Sequence, residues 1–325
     1  MKKGKIIPLI KQILSAIKPY LRWFILGLTV FFIAKTLKDH AGEVVALRVS
    51  NTGWGILAIA LFFTPLAHIW SGWVWNLILR ELNQPVSGIW SVQTYLKTNI
   101  AKYLPGNVWH FYGRILAAKS IGISLEAATV SVLLEPLLMA SAALAIAFVT
   151  IQHQGIQVSY LLIGQIIGLV ALSIGIHPKI LNRVIQYLSR VKAKNRTANI
   201  IEATVTKIER YPLIPLLGEL GFVGLRGIGF LLTMLALTEI NISNIPLLMG
   251  AFSLAWLFGL IIPGAPGGMG VFEATMLTIL GKTFSPGLML GTVALYRVVS
   301  IIAEAIGAGG ASLGELLTRK NGNLN

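Results

Sequence analysis

An all-α membrane protein, a polytopic transmembrane helical bundle of about eight spans with one or two re-entrant or broken helices, is what this 325-residue chain predicts. Three observations carry that reading. Only 12% of the residues are charged and 55% are hydrophobic, against roughly 25% charged in a soluble domain. Mean hydropathy is +0.76, carried by uncharged runs of about twenty residues, the length a helix needs to cross the hydrocarbon core. Two clusters of proline and glycine interrupt otherwise apolar sequence, where a regular helix cannot continue. A soluble fold would expose more apolar surface than water tolerates. The chain has no cysteine, which excludes disulfides, thiolate catalysis and cysteine-based metal sites.

Residues 1–19 combine Lys2, Lys3, Lys5, Lys11 and Lys18 with apolar residues at near-helical spacing, a basic amphipathic segment suited to the membrane surface. No small-x-small cleavage site follows it, so an uncleaved anchor is expected rather than a signal peptide. Spans are expected at 20–37, 54–79, 125–150, 158–176, 213–237, 245–262 and 286–308, with a short, glycine-led eighth at 268–282. The stretch 88–119 is too long for one clean span and too apolar for an ordinary loop, and reads as re-entrant or interfacial. Trp70, Trp73 and Trp75 read as an anchor near the cytoplasmic side.

The segment 177–210 carries Lys179, Arg183, Arg190, Lys192, Lys194, Arg196, Lys207 and Arg210 against Glu202 and Glu209. The excess of basic residues places it in the cytoplasm. Alternation of the spans then puts both termini there, and the natural location is the cell membrane. Leu181, Val184, Leu188 and Val191 give the segment an amphipathic face, for a lipid-hugging connector or a partner-binding surface. The net charge of +15 fits cytoplasmic loops facing anionic lipid, and no nucleic-acid motif accompanies it. The whole chain, 1–325, reads as a single integral membrane domain. Small-residue pairs at Gly164/Gly168, Gly287/Gly291 and Gly310/Gly314 read as ordinary helix packing.

Three constellations bear on function. In the first, Lys102-Tyr103-Leu104-Pro105-Gly106-Asn107-Val108-Trp109 continues to Arg114. The Pro-Gly break leaves backbone groups that are costly at membrane depth unless they line a cavity. Lys102 and Arg114 flank the break and suit an anionic headgroup. An interface turn with snorkelling cations and Trp109 in the aromatic belt fits equally well. The second runs from Pro263 to Glu273, including Gly267, Gly268 and Gly270. A helix restarting near Gly270 would aim its positive end at the break. Its spacing fits neither GxGxxG nor GxxxxGK[ST]. The third is a set of ionisable residues inside apolar spans: Glu135, Glu219, Arg226, Glu273, Arg297 and Glu304. Each costs roughly 2.5–3.5 kcal/mol on insertion scales, so all are expected to face the bundle interior. They serve either a polar pathway or static salt bridges. Glu219/Arg226 and Arg297/Glu304 are each seven apart, on one helix face but about 10 Å distant, so each would bridge to another helix or to a ligand. The histidines His40, His68, His110, His153 and His177 are scattered singly, without metal-site spacing. No catalytic residue, metal or cofactor is expected.

KYLPGNVW followed by Arg114, then Glu135, PGAPGGMGVFE and Tyr296-Arg297, resembles in order and spacing the membrane region of bacterial lysylphosphatidylglycerol synthetases, the multiple peptide resistance factor family, and its stand-alone flippase-like relatives. Asn107 departs from the second glycine expected there. The family's soluble aminoacyltransferase would lie beyond Asn325, so the resemblance implies a stand-alone member that is not an enzyme. What it implies is lipid translocation between leaflets, of a phospholipid or lipid-linked headgroup. By the resemblance, Lys102 and Arg114 contact the anion, and Glu135, Glu273 and Arg297 line or gate the path. Glu219, Arg226 and Glu304 rest on the cost of burying charge. Membrane lipids with anionic headgroups are the expected partners, and the family suggests a homodimer. Two other readings are a non-transporting subunit serving a separately encoded lipid-modifying enzyme, and a proton-coupled solute transporter.

Overall fold

The computed structural model describes residues 38, 42, 47–103, 108–152, 159–194, 207–262 and 268–322. Among these it shows ten α-helices and no strand: α1 (Asn51–Glu81), α2 (Gly88–Asn99), α3 (Trp109–Ser120), α4 (Leu125–Gln152), α5 (Ser159–Gly175), α6 (Pro178–Lys194), α7 (Leu213–Leu235), α8 (Ile245–Ile261), α9 (Val271–Leu280) and α10 (Pro286–Gly322). Five of them, α1, α4, α7, α8 and α10, are long and apolar enough to cross a membrane. They realise the spans expected at 54–79, 125–150, 213–237, 245–262 and 286–308. Helix α5 meets the first turns of α6 at a bend of 56° and qualifies as a sixth span only together with them. The eighth expected span becomes the ten-residue α9, about 15 Å long and far short of the bilayer core. The first, at 20–37, lies outside the described residues, as does the amphipathic segment 1–19. The protein is a multi-pass helical membrane bundle.

The bundle is organised around α1, α4, α7, α8 and α10. Helix α1 packs along α7, α4 packs along α8, and α10 runs against α1, α2 and α7. The core between α4, α7, α8, α9 and α10 is unusually aromatic. Phe230, Phe252, Phe272 and Tyr296 form a cluster with ring centroids 5.5–6.5 Å apart, each pair worth about 0.5–1.5 kcal/mol beyond area burial. Exposed Phe62, Ile167, Leu217, Val298 and Ile306 face outward, as they must where lipid is the solvent.

Residues 88–119 form two twelve-residue helices, α2 and α3, packed on each other and separated by the break at 104–107. At about 18 Å each they are too short to span singly, and they form a helical hairpin of the kind expected of a stretch that is re-entrant or interfacial. Its base is tied to α1. Asn76 Nδ2 donates to Val86 O at 3.0 Å and to Ser91 Oγ at 3.0 Å. Trp75 stacks on Trp90 at 5.6 Å and donates its Nε1 hydrogen to Ser131 on α4. Trp75 is fully buried, which corrects its placement with Trp70 and Trp73 in an interfacial anchor. Its indole N–H has a protein partner and no need of the wet interface.

Helix α6 takes the amphipathic form expected within 177–210, but its buried side is Leu181 with Ile185, while Val184 faces out. The helix is tethered where Asn182 exchanges two hydrogen bonds with the Ile208 backbone, at 2.8 and 2.9 Å. Nearby, exposed Arg210 reaches Glu81 with two bonds of 3.1 Å, and that hydrogen-bonded carboxylate holds the guanidinium above its usual pKa. Of the small-residue pairs, Gly168, Gly291 and Gly314 approach Leu144, Leu47 and Gln93, whereas Gly164 and Gly310 meet open space. Each of the three pairs thus contributes at least one glycine to intrachain packing.

Candidate functional site: a charged cavity where both breaks converge

A cavity of about 610 Å³ lies inside the bundle, within the range of small-ligand sites. Both helix breaks end at its wall. The tip of the first hairpin supplies Lys102, Tyr103 and Val108, and a second hairpin, of α8 and α9 packed on each other, supplies the end of α8, Gly268 and Met269. Glycine is required in the second hairpin for two reasons. Gly268 has φ +71°, and a Cβ there would sit 2.9 Å from Gly259 Cα on α8. A Gly268→Ala substitution is therefore expected to cost about 1–2 kcal/mol in backbone strain and about 1–3 kcal/mol in overpacking. A lowered melting temperature in detergent is the readout. Wild-type melting would show that the two backbones part freely.

Helix α9 begins at Val271, one residue from the predicted restart. Its positive end is not vacant. Glu273 Oε2 accepts the Gly270 amide hydrogen at 2.6 Å, so the chain's own carboxylate occupies the place expected for an external anion. The other oxygen, Oε1, accepts from Arg297 Nε on α10 at 2.7 Å.

Two further ion pairs hold the hairpins. Lys102 Nζ donates to Glu304 Oε1 at 2.7 Å, and His68 Nε2 reaches the same oxygen at 3.1 Å. Arg114, on α3, pairs with Glu135, on α4. Its guanidinium is stacked by Trp75, Tyr95 and Phe111 at 5.6, 4.7 and 5.4 Å. Outside the cavity Lys97 on α2 pairs with Glu315. Arg297, Glu304 and Glu315 are seven and eleven residues apart, near-integral numbers of turns, so one face of α10 meets both hairpins. Beside Glu135, Pro136 lacks the N–H that would bond the Val132 carbonyl within the helix, and it too lines the cavity.

Arg226 differs from the other cations. It is buried, yet no carboxylate lies within 4 Å of it among the described residues. Its Nη2 donates to Ser300 Oγ at 3.1 Å, and its Nε has no partner among the described residues. Nη1 lies 3.5 Å from His68 Nε2. That nitrogen cannot accept from Arg226 while it carries the hydrogen given to Glu304. The guanidinium is instead held between aromatic faces, 5.3 Å from the Trp256 ring centroid and 4.9 Å from that of Tyr296.

Of the residues singled out from sequence, Lys102, Tyr103, Arg114, Glu135, Arg226, Gly268, Arg297 and Glu304 line this one cavity, with Glu273 bound to its wall through Arg297. Gly270 caps α9 behind the wall. Trp109 is 47% exposed and lies outside the lining, against Tyr112. Glu219 is fully buried beyond the lining. Pro105, Gly106 and Gly267 lie outside the described residues. Ser300 and Trp256 also face the cavity but bear no motif, and only tertiary structure reveals them, while Phe272 faces it from within the second constellation. His68 was open to discovery, because it is an ionisable residue within an apolar span, the criterion that singles out Glu135 and Arg226. No group of three or more metal-ligating side chains occurs among the described residues.

Comparison with curated proteins found no match. Comparison with protein families found one, described as the lysylphosphatidylglycerol synthase TM region, matching residues 21–307. That match contains both hairpins, all four cavity cations and every carboxylate paired with them. The chain belongs to the lysylphosphatidylglycerol synthase transmembrane-region family.

Proposed function

We propose that the protein moves a phospholipid, or a lipid-linked group with an anionic headgroup, between membrane leaflets, with the headgroup passing through the charged cavity. The observation that carries this reading is the charge inventory at the cavity. Lys102, Arg114, Arg226 and Arg297 stand against Glu135, Glu273 and Glu304, and the excess cation is Arg226. A purely structural network would pair every buried charge. A cation held by aromatic rings and one hydroxyl has donors to spare for a phosphate oxygen. The headgroup travels in the polar cavity while the acyl chains stay in lipid, which limits the desolvation cost to one end of the molecule. Membership of a family named for lipid synthases supports a lipid as cargo.

The same reading puts the protein in the cell membrane with both termini in the cytoplasm, the side to which the basic residues of α6 and of 207–210 belong. It has the protein act as a transporter and not as an enzyme. Dimerisation and a separately encoded lipid-modifying partner are compatible with it. In proteoliposomes, leaflet-resolved assay of anionic, zwitterionic and aminoacylated lipids is expected to show protein-dependent movement of one headgroup class. Folded protein that moves none of them would favour the non-transporting subunit.

A further inference from the structure

We infer that the charged cavity opens sideways into the hydrocarbon, between α10 and the two hairpins, and that this opening is a binding site for the acyl chains of the cargo lipid, an inference that rests on the lipid-moving role proposed above. Most of the polar cavity wall is withdrawn from the surface: His68, Arg114, Glu135, Arg226, Ser300 and Glu304 are all buried. Four apolar lining residues are not. Val108, Ile261, Met269 and Ile301 are 40–57% exposed, so the cavity reaches the surface of the bundle where they stand. They come from the first hairpin, the second hairpin and α10, and together they make a rim.

The level of the rim in the membrane follows from α7, one of the helices long and apolar enough to span it. Arg226 is thirteen residues from Leu213 and nine from Leu235, about 20 and 14 Å from the ends of that helix at 1.5 Å per residue. Its guanidinium donates to Ser300 Oγ at 3.1 Å, so Ser300 and the adjoining Ile301 lie well inside a hydrocarbon core about 30 Å thick. The outward face of α10 agrees. From Ala294 to Ile306 its exposed residues are Ala294, Val298, Ile301, Ile302, Ala305 and Ile306, with no polar side chain among them. The opening is therefore bordered by lipid chains and not by water.

A mouth in hydrocarbon selects its cargo by class. A water-soluble anion would have to cross lipid to reach it, at the desolvation cost of its whole charge. An amphiphile is already there. Its chains stay against Val108, Ile261, Met269 and Ile301 while its charged end turns inward, and neither end meets a medium that opposes it. The partly exposed cations stand where that end enters. Arg297 precedes Ile301 by about one turn of α10, and Lys102 is held about one turn after it, on Glu304; their side chains are 24% and 18% exposed. Arg226, buried behind them, is the deeper contact. Tyr103, exposed and lining the cavity, combines an apolar ring with a hydroxyl, which suits the boundary between chains and phosphate.

The site is tested in phosphatidylcholine vesicles holding the full chain and trace phosphatidylglycerol with a diazirine midway along one chain. Photolabelling is expected to concentrate on Val108, Ile261, Met269 and Ile301. Unlabelled phosphatidylglycerol is expected to compete, and glycerol phosphate, which has the same head and no chains, is not. Labelling spread evenly over outward residues such as Phe62 and Leu217 would overturn the site, since lipid surrounding any membrane protein gives that pattern. Competition by glycerol phosphate as strong as by the lipid would overturn it too, by showing a mouth open to water. Ile301→Trp narrows the opening from an exposed position and is expected to slow leaflet-to-leaflet movement of tail-fluorescent phosphatidylglycerol about tenfold, with the melting temperature unchanged. Met269→Trp narrows it from the second hairpin and replaces the first variant if that folds poorly. Val298→Trp, about one turn away on the lipid-facing side of α10 and outside the cavity lining, is expected to match wild type. Wild-type movement in both rim variants would overturn the opening as the route while leaving the lipid role standing. Focused, competed labelling with no movement of any lipid in the panel would remove the lipid-moving role and keep the chain-binding site.

Discussion

Replacing Arg226 with glutamine is expected to abolish most lipid movement while leaving the protein as stable as wild type, or more so. The two halves of this expectation have one cause. Each of the other three cavity cations is neutralised by a carboxylate, at Glu304, Glu135 and Glu273. Arg226 has Ser300 and two aromatic rings. A cation–π contact in a dry site is worth about 2 kcal/mol, comparable with or below the roughly 2.5–3.5 kcal/mol that insertion scales assign to a charge at membrane depth. Removing the charge therefore relieves strain or leaves it unchanged. A charge-assisted hydrogen bond to phosphate is worth about 1.5–3 kcal/mol, so its loss should reduce headgroup affinity about tenfold to a hundredfold.

Arg226→Lys separates charge from shape. Lysine keeps the charge but lacks the planar fork that stacks between Trp256 and Tyr296 and presents parallel donors, so intermediate transport is expected. Leaflet-resolved transport with thermal unfolding on the same preparations is the measurement. Full transport by Arg226→Gln would remove this residue from the headgroup path. A large fall in melting temperature would mark it as structural.

The spans and both breaks were legible because their signals are local. Twenty apolar residues state their own length requirement, and Pro-Gly clusters end helices wherever they occur. The seven-residue spacing of Arg297 and Glu304 also spoke correctly, since each bridges to a different neighbour rather than to the other. The partners themselves were not legible. Lys102 and Glu304 are separated by 202 residues, and nothing local to either names the other. The same limit hid the difference between Arg226 and its three neighbours, because lack of a carboxylate belongs to the packed bundle and not to the residue. Trp75 was misplaced for a related reason: indole is equally suited to the interface and to a buried site that offers an acceptor, and Ser131, its acceptor, lies 56 positions away. Helix α9 fell short of a span because the glycines delay its start to Val271 and the chain turns out of the helix at Gly281–Thr283, leaving ten helical residues between them.

Glu304→Gln is expected to behave in the opposite sense to Arg226→Gln, with stability lost first. Glu304 Oε1 is the shared acceptor for Lys102, at the tip of the first hairpin, and for His68, on α1. Its side chain is 2% exposed, against 18% for Lys102, so water can compensate neither group fully. Neutralising the carboxyl strands an ammonium against its own membrane cost, and breaking such a buried pair from one side typically costs about 3–5 kcal/mol. The hairpin tip should then part from α10, and transport should fall with it. Removing the stranded partner distinguishes an uncompensated charge from a lost carboxylate function. The double variant Lys102→Met with Glu304→Gln is expected to recover much of the melting temperature, since an apolar replacement for a buried pair is often neutral. It should not recover transport, because a headgroup contact is gone. A coupling energy near zero in this cycle would show that Lys102 and Glu304 act independently, and the hairpin would then be held by the Arg114–Glu135 and Lys97–Glu315 pairs instead.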